Sequence, residues 1–295
     1  MACMFTMMNR ARLAVGLQGV AIAELATQQA LAYARERKQG PEKSIFAYPD
    51  IKRMLLTMRA LTGAARTICY ATGVALDRSR RGKSEAARKA AHQRASLLTP
   101  VAKAFSTDIG IEVASLGVQV HGGMGFIEET GAAQHYRDAR IAAIYEGTNG
   151  IQAIDLVTRK LPLDDGKTVA GYLDELRHTV AAVKASNAPG FGDTAARLGE
   201  TVDSLARATQ WLLAQKSSDA ALAGATPYLR MFGAAAGGCM LAEQALTALR
   251  AGDGAARTTL ARFFAENVAV QASGLERSVI EGSGSIADAQ AALDA

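Results

Sequence analysis

Apolar positions recur at helical spacing along almost the whole chain, and no segment alternates as a half-buried strand would. From about Met8 to Arg37, Leu13, Leu17, Val20 and Leu25 mark one stripe, and Gly40-Pro41 is the stop signal. A second helix is predicted from about Asp50 to Asp77. Its stripe is Ile51, Met54, Leu55, Met58, Leu61, Ala65 and Ile68, with the methionines as core filler. A third is predicted from about His92 to Val120, through Leu98, Val101, Phe105, Ile109 and Leu116. Pro100 moves its expected start towards Thr99, with the proline at the first helical position. A shorter fourth helix is predicted from about Ile151 to Lys160, where Asn149 precedes Gln152 in capping-box spacing. Long amphipathic helices with short connections predict an all-α fold, an antiparallel four-helix bundle over residues 1–162.

Pro162-Leu163-Asp164-Asp165-Gly166-Lys167 is a polar break, and a domain boundary is expected there. Beyond it the pattern predicts a second helical unit over residues 168–292, with helices at about 168–187, 194–217, 218–250 and 254–273. Asn187-Ala188-Pro189-Gly190 and Gly252-Asp253-Gly254 separate them. The small, polar end from Ser283 onward is expected to fray.

Composition narrows the function classes. Hydrophobic residues are 49% of the 295, but aromatics only 5%. An alanine-rich core must therefore gain its stability from many close helix contacts rather than from large side chains. The net charge of +5 is scattered. Its densest group, Arg78-Ser79-Arg80-Arg81-Gly82-Lys83 with Arg88 and Lys89, reads as a solvated connection between helices. No aromatic residues interleave these charges, which argues against nucleic-acid binding. Cys3, Cys69 and Cys239 form neither a disulfide framework nor a zinc pattern, and a cytoplasmic location is expected. No uninterrupted apolar run is long enough for a membrane span, and the N-terminus lacks a charged region before its apolar residues.

Candidate chemistry concentrates between Gln119 and Gln152. Gly122-Gly123-Met124-Gly125 would let a ligand approach bare backbone, although such runs also make simple turns. It is neither a P-loop nor a dinucleotide fingerprint, since no Gly-Lys-Ser/Thr follows and no strand precedes it. Tyr145-Glu146-Gly147-Thr148 places one carboxylate in a short turn. Glu146 reads either as a general base or as an acidic residue favoured near a helix start. Arg37, among the cations closing the first helix, reads either as a dipole partner or as an anion ligand. His121 and His135 read as structural, Arg137, Asp138 and Arg140 as a surface ion-pair group, and no metal site is expected.

Four separated pieces change these weights. They are Met8-Asn9-Arg10-Ala11-Arg12; Tyr33-Ala34 with Arg37; Gln119-Val120-His121-Gly122-Gly123-Met124-Gly125-Phe126; and Arg137-Asp138-Ala139 leading to Ile144-Tyr145-Glu146-Gly147-Thr148-Asn149-Gly150-Ile151-Gln152. In order and wording they resemble the carboxyl-terminal domain of the acyl-CoA dehydrogenases, over roughly residues 1–160. With the helical extension behind them, they most resemble the large subgroup that contains the 3-methylmercaptopropionyl-CoA dehydrogenases.

The resemblance implies an FAD-dependent oxidoreductase that removes an α-proton and a β-hydride from an acyl-CoA thioester. Glu146 stands at the position of the base, and Gly147 at that of a backbone N–H facing the thioester carbonyl. Thr148 and Gly150 match flavin-contact positions, and Gln119 and Gly123 match those near the adenosine end of FAD. Arg37 matches an arginine that reaches the FAD pyrophosphate of a neighbouring subunit, which implies a homo-oligomer, expected here as a homodimer. Asn9 and Arg12 match positions that contact the acyl-CoA.

Two local departures are visible. The family more often has an acidic residue at the Asn9 position, and the Tyr48 region lacks the usual His-Gln-like pair. A larger one is that the family's amino-terminal helical and β domains are missing from the sequence. The chain is therefore expected to be a truncated product, half of a split gene or a single excised domain. The rival expectation is a non-catalytic helical module that assembles with a partner chain carrying those domains.

Overall fold

The computed structural model describes residues 2–40, 43–216 and 218–295, with side chains from Met7 onward except at Ala291. The described residues are almost entirely helical. One isolated bridge, Lys38 to Ser44, is the only extended pairing among them. Helix α1 spans Ala2–Glu36, α2 Pro49–Arg81 and α3 Glu85–His121. The short α4 (Gly123–Phe126) and α5 (Ala132–Ala142) follow, then α6 (Asn149–Asp155), which continues into a π-helical turn over Leu156–Lys160. The extension contributes α7 (Lys167–Ala185), α8 (Thr194–Gln215), α9 (Asp219–Ala223), α10 (Ala225–Arg250), α11 (Ala255–Asn267) and α12 (Ala272–Glu281). Two single turns, α13 (Ser283–Ala287) and α14 (Gln290–Leu293), occupy the end expected to fray.

The all-α bundle is as the pattern predicts, with differences at the ends of its elements. Of the predicted stop at Gly40-Pro41, Pro41 lies outside the described residues, and α1 already ends at Glu36. The charged connection shrinks to Gly82-Lys83-Ser84. The Ser84 hydroxyl accepts from Ala87 N–H at 3.1 Å and starts α3 there. Pro100 is consequently deep inside α3 rather than at its first position. It cannot donate to the Ser96 carbonyl. Periodicity was silent over Glu85–Ala91 because that turn is alanine and charge, with no apolar stripe to read.

Helices α1 and α3 run parallel at close range. A Cβ placed on Gly16 would fall on the Ala102 carbonyl oxygen, one on Gly19 on the Ser106 carbonyl oxygen, and one on Gly117 would stand 3.6 Å from Ala26. Helix α2 returns antiparallel between them. The fourth bundle helix is α5, which runs antiparallel to α1: Gln29 meets His135 near its start, and Gln18 accepts from the Tyr145 hydroxyl beyond its end. The fourth helix predicted over Ile151–Lys160 is instead α6 with its π-helical turn, packed between α3 and α10.

Helix α10 is buried on every side over its middle, Met231–Cys239. Gly233 faces Phe105 of α3, and Gly237 faces Ala64 of α2, with a hypothetical Cβ only 2.6 Å from the Ala64 methyl. The small side chains let α10 lie directly on the bundle, so one continuous apolar core runs from Val20 to Val279. Gly19→Ala is expected to cost about 1–3 kcal/mol through overpacking against the α3 backbone. Gly274→Ala, where a Cβ would meet nothing within 4 Å, is expected to gain about 0.5–1 kcal/mol. Denaturant midpoints of the two variants check this, and equal signs would refute the close seam.

Candidate functional site

The sequence-derived residues fall into two groups at opposite ends of α1. Arg37, Gln119 and Gly123 line one groove of about 920 Å³, together with Tyr33, Tyr48 and His121. Tyr33 and His121 stack with ring centroids 4.4 Å apart, and His121 Nδ1 lies 2.7 Å from the Gly117 carbonyl oxygen, which accounts for its burial. Arg37 is exposed and makes no ion pair with any described residue. A Cβ on Gly122 or Gly123 would meet nothing within 4 Å, so the groove offers bare backbone beside a free cation.

The second group holds Glu146, Gly147, Thr148 and Gly150, with Arg12 beneath them. Helix α5 ends at Ala142, and the chain turns sharply before α6. Asn149 N–H closes the turn on the Ala143 carbonyl at 3.0 Å. Glu146 and Gly147 both adopt left-handed backbone, with φ of 57° and 86°. Glycine takes that conformation freely, whereas for a glutamate the strain is about 1–3 kcal/mol. The Glu146 side chain is half-buried. No described group accepts from the N–H of Glu146, Gly147 or Thr148. Three successive free donors around left-handed residues form a concavity suited to negative charge.

The surroundings over-determine this turn. Gln152, fully buried, donates from Nε2 to the Glu146 and Gly147 carbonyls at 3.3 Å each. The capping residue of α6 is Thr148, whose hydroxyl accepts from Ile151 N–H at 3.3 Å, rather than Asn149. Asn149 is freed from capping because its side chain turns inward onto α3.

Arg12, 7% exposed, donates to Asp155 Oδ2 at 2.9 Å, and Asp155 is 2% exposed. Arg159 reaches the other carboxylate oxygen at 2.6 Å, and Lys160 approaches it at 3.8 Å. Burial pulls the Lys160 ammonium below its usual range, while Asp155 pulls it back up. The Arg12 guanidinium lies 3.8 Å from where a Gly147 Cβ would be. Asn9 is half-buried about one turn before Arg12 on the same helix.

Sequence reasoning passed over three residues behind the turn. Lys103 is fully buried, and its ammonium donates to Asn149 Oδ1 at 2.8 Å. Asp108 accepts from Asn149 Nδ2 at 2.6 Å. Asp155 is the third. A lysine amid Leu98, Val101 and Phe105 was the available signal, since the ammonium is buried where Asn149 of α6 meets it. Among the described residues no group of histidines, cysteines or carboxylates could hold a metal, and no helix is long and apolar enough to cross a membrane.

Residues 1–161 match the family model for the acyl-CoA dehydrogenase C-terminal domain, and residues 172–290 match one described as acetyl-CoA dehydrogenase C-terminal like. A 3-methylmercaptopropionyl-CoA dehydrogenase of Ruegeria pomeroyi is 45% identical over 287 residues, covering 92% of this chain and 48% of its own length. A butyryl-CoA dehydrogenase of Syntrophomonas wolfei is 32% identical over 192 residues, covering 62% of this chain and 32% of its own. Among solved structures, Caenorhabditis elegans ACDH-11 in complex with C11-CoA superimposes with a TM-score of 0.77 at 18% identity, over 98% of this chain and 47% of that one. An acyl-CoA dehydrogenase complexed with FAD from Bacillus anthracis gives 0.67 at 19% identity, over 95% and 49%. At those identities the superpositions establish the fold alone. The chain spans about half the length of the first of these relatives and of both structures, or less. With a family model covering more than half of its residues, and with an all-helical bundle of the same fold, the chain belongs to the acyl-CoA dehydrogenase family.

Proposed function

We propose that this chain is the base-carrying part of an FAD-dependent acyl-CoA dehydrogenase. The observation that carries this reading is the Glu146 turn: a half-buried carboxylate beside three backbone N–H groups without partners. An acyl-CoA thioester needs both features. Glu146 takes the α-proton, and the Gly147 N–H donates to the thioester carbonyl oxygen as negative charge grows there. A fixed left-handed turn presents these donors without reorganisation during the reaction. Arg12, neutralised by Asp155, supports the turn from below and, with Asn9, faces the acyl-CoA.

The groove residues fit FAD, because a cation free of ion pairs lies next to unobstructed backbone at Gly122 and Gly123. Arg37 would hold the pyrophosphate, Gln119 and Gly123 the adenosine end, and Thr148 and Gly150 the flavin end. FAD supplies the acceptor for the hydride that leaves the β-carbon. The two groups cannot serve one cofactor from one chain. Arg12 and Arg37 are separated by 25 positions of α1 and its end, about 37 Å at the helical rise. A homodimer in which Arg37 of one subunit meets the Glu146 turn of another satisfies both groups.

The test is the visible spectrum of the purified chain after incubation with FAD and desalting. A retained flavin band, weakened by Arg37→Ala, is expected. A colourless protein would sink the cofactor reading and favour a helical module that assembles with a partner chain.

A further inference from the structure

One side chain, that of Asn149, ties the Glu146 turn to α3. Asn149 uses all of its amide. Its oxygen accepts from Lys103 Nζ at 2.8 Å and from the Thr107 hydroxyl at 3.2 Å. Its nitrogen donates to Asp108 Oδ1 at 2.6 Å and to the Ala104 carbonyl at 3.2 Å, and lies 2.9 Å from the Thr107 hydroxyl oxygen. All of these partners are on α3. The backbone N–H of the same residue closes the turn. Removing the amide's partners would therefore free the residue that seals the loop around Glu146.

The partners are costly to keep. Burial pulls the Lys103 ammonium down to about 8, against the opposing pull of Asp108, and Arg12 and Glu146 are also within electrostatic reach. Burial pushes Asp108 up, against the Asn149 amide and the charge of Arg230. Arg230 comes from α10, where it pairs with Glu112 at 2.6 Å. It shares with Asp108 and Asn149 the walls of a cavity of about 310 Å³ between bundle and extension. For packing alone, a methionine would fill the place of Lys103 at a lower desolvation cost.

We propose that Lys103, Asp108 and Arg230 are positioning residues that act through Asn149 to hold the Glu146 turn in its left-handed form. The extension helix α10 then sets the geometry of the base from the side opposite the substrate. This deepens the proposed function and rests on Glu146 being the base, but its test needs neither acyl-CoA nor FAD. Failure of Glu146 as a base would leave the clamp itself intact.

The experiment is hydrogen exchange and backbone NMR on the isotopically labelled full chain, for wild type, Lys103→Met and Arg230→Met. In Lys103→Met the Asn149 amide is expected to exchange about tenfold faster, the equivalent of one lost hydrogen bond. The Glu146 Cα shift should drift from its left-handed value, and the faster exchange at Asn149 should exceed whatever global stability is lost by leaving Asp108 without the lysine. A purely structural lysine would instead lower the melting temperature and speed exchange throughout α3 in proportion. Arg230→Met, on a half-exposed residue, should loosen the same amide in the same direction, and it carries the test if Lys103→Met fails to fold. Unchanged Asn149 exchange and Glu146 shift in a folded variant would overturn the proposal. So would acceleration no greater than that of the fully buried Ile109 amide of α3, taken as the reference for global stability.

Discussion

Glu146→Gln is expected to slow loss of the α-proton from an acyl-CoA by about two to four orders of magnitude, the usual contribution of a positioned general base. Glutamine keeps the length and hydrogen-bonding shape of the side chain. It cannot accept the proton. The turn itself should be unaffected, because its contacts run through the backbone, Gln152 and Asn149 rather than through the Glu146 carboxylate. The measurement is washout of deuterium from an α-deuterated acyl-CoA incubated with FAD and the purified chain, followed by mass spectrometry. Equal washout in wild type and variant, both above the protein-free control, would remove Glu146 from its role. No washout in the wild type would instead favour the assembly-module reading.

Asp155→Ala should be the most destabilising single change in the bundle, by about 3–5 kcal/mol. It would leave the buried Arg12 guanidinium without an anion, with Arg159 and Lys160 already close by. A buried charge that loses its partner suffers the full desolvation cost, whereas removing both members often does little harm. The double variant Arg12→Met with Asp155→Leu is therefore expected to recover most of the loss. Urea denaturation midpoints of the single and double variants decide it. A loss under about 1 kcal/mol for Asp155→Ala would mean that water reaches Arg12 and screens the pair.

The three long helices were legible because each carries a sustained apolar stripe, as at Ile51–Met54–Leu55–Met58–Leu61. Helix α5 was not, because its eleven residues are short of large apolar side chains and lie inside a glycine-rich stretch. The start of α3 was misplaced for a different reason. Pro100 is a local signal, and tertiary burial on all sides of that segment outweighed it. Likewise Asn149 has the right spacing for a capping box, but Thr148 next to it takes that role once α3 offers Asn149 better partners.

The site was legible as a set of motif residues but not as a geometry. The spacing of Arg37 and Glu146 in the sequence says nothing of their distance apart; the length of α1 does. Lys103, Asp108 and Asp155 escaped notice because their roles depend on contacts across α3, α6 and α10 that no local window contains.

The length of α1 has a consequence of its own. Because the Arg37 groove and the Glu146 turn lie at its two ends, the helix behaves as a ruler. Deleting one turn from its middle would shorten it by about 5.4 Å and shift its two ends relative to each other along α3, while leaving the residue types at both ends unchanged. In the proposed homodimer, two such subunits would still possess all their chemical groups, yet each half-site would meet its counterpart out of step. Within this helix, drift by insertion or deletion is thus far more dangerous than drift by substitution, even at positions that touch no ligand.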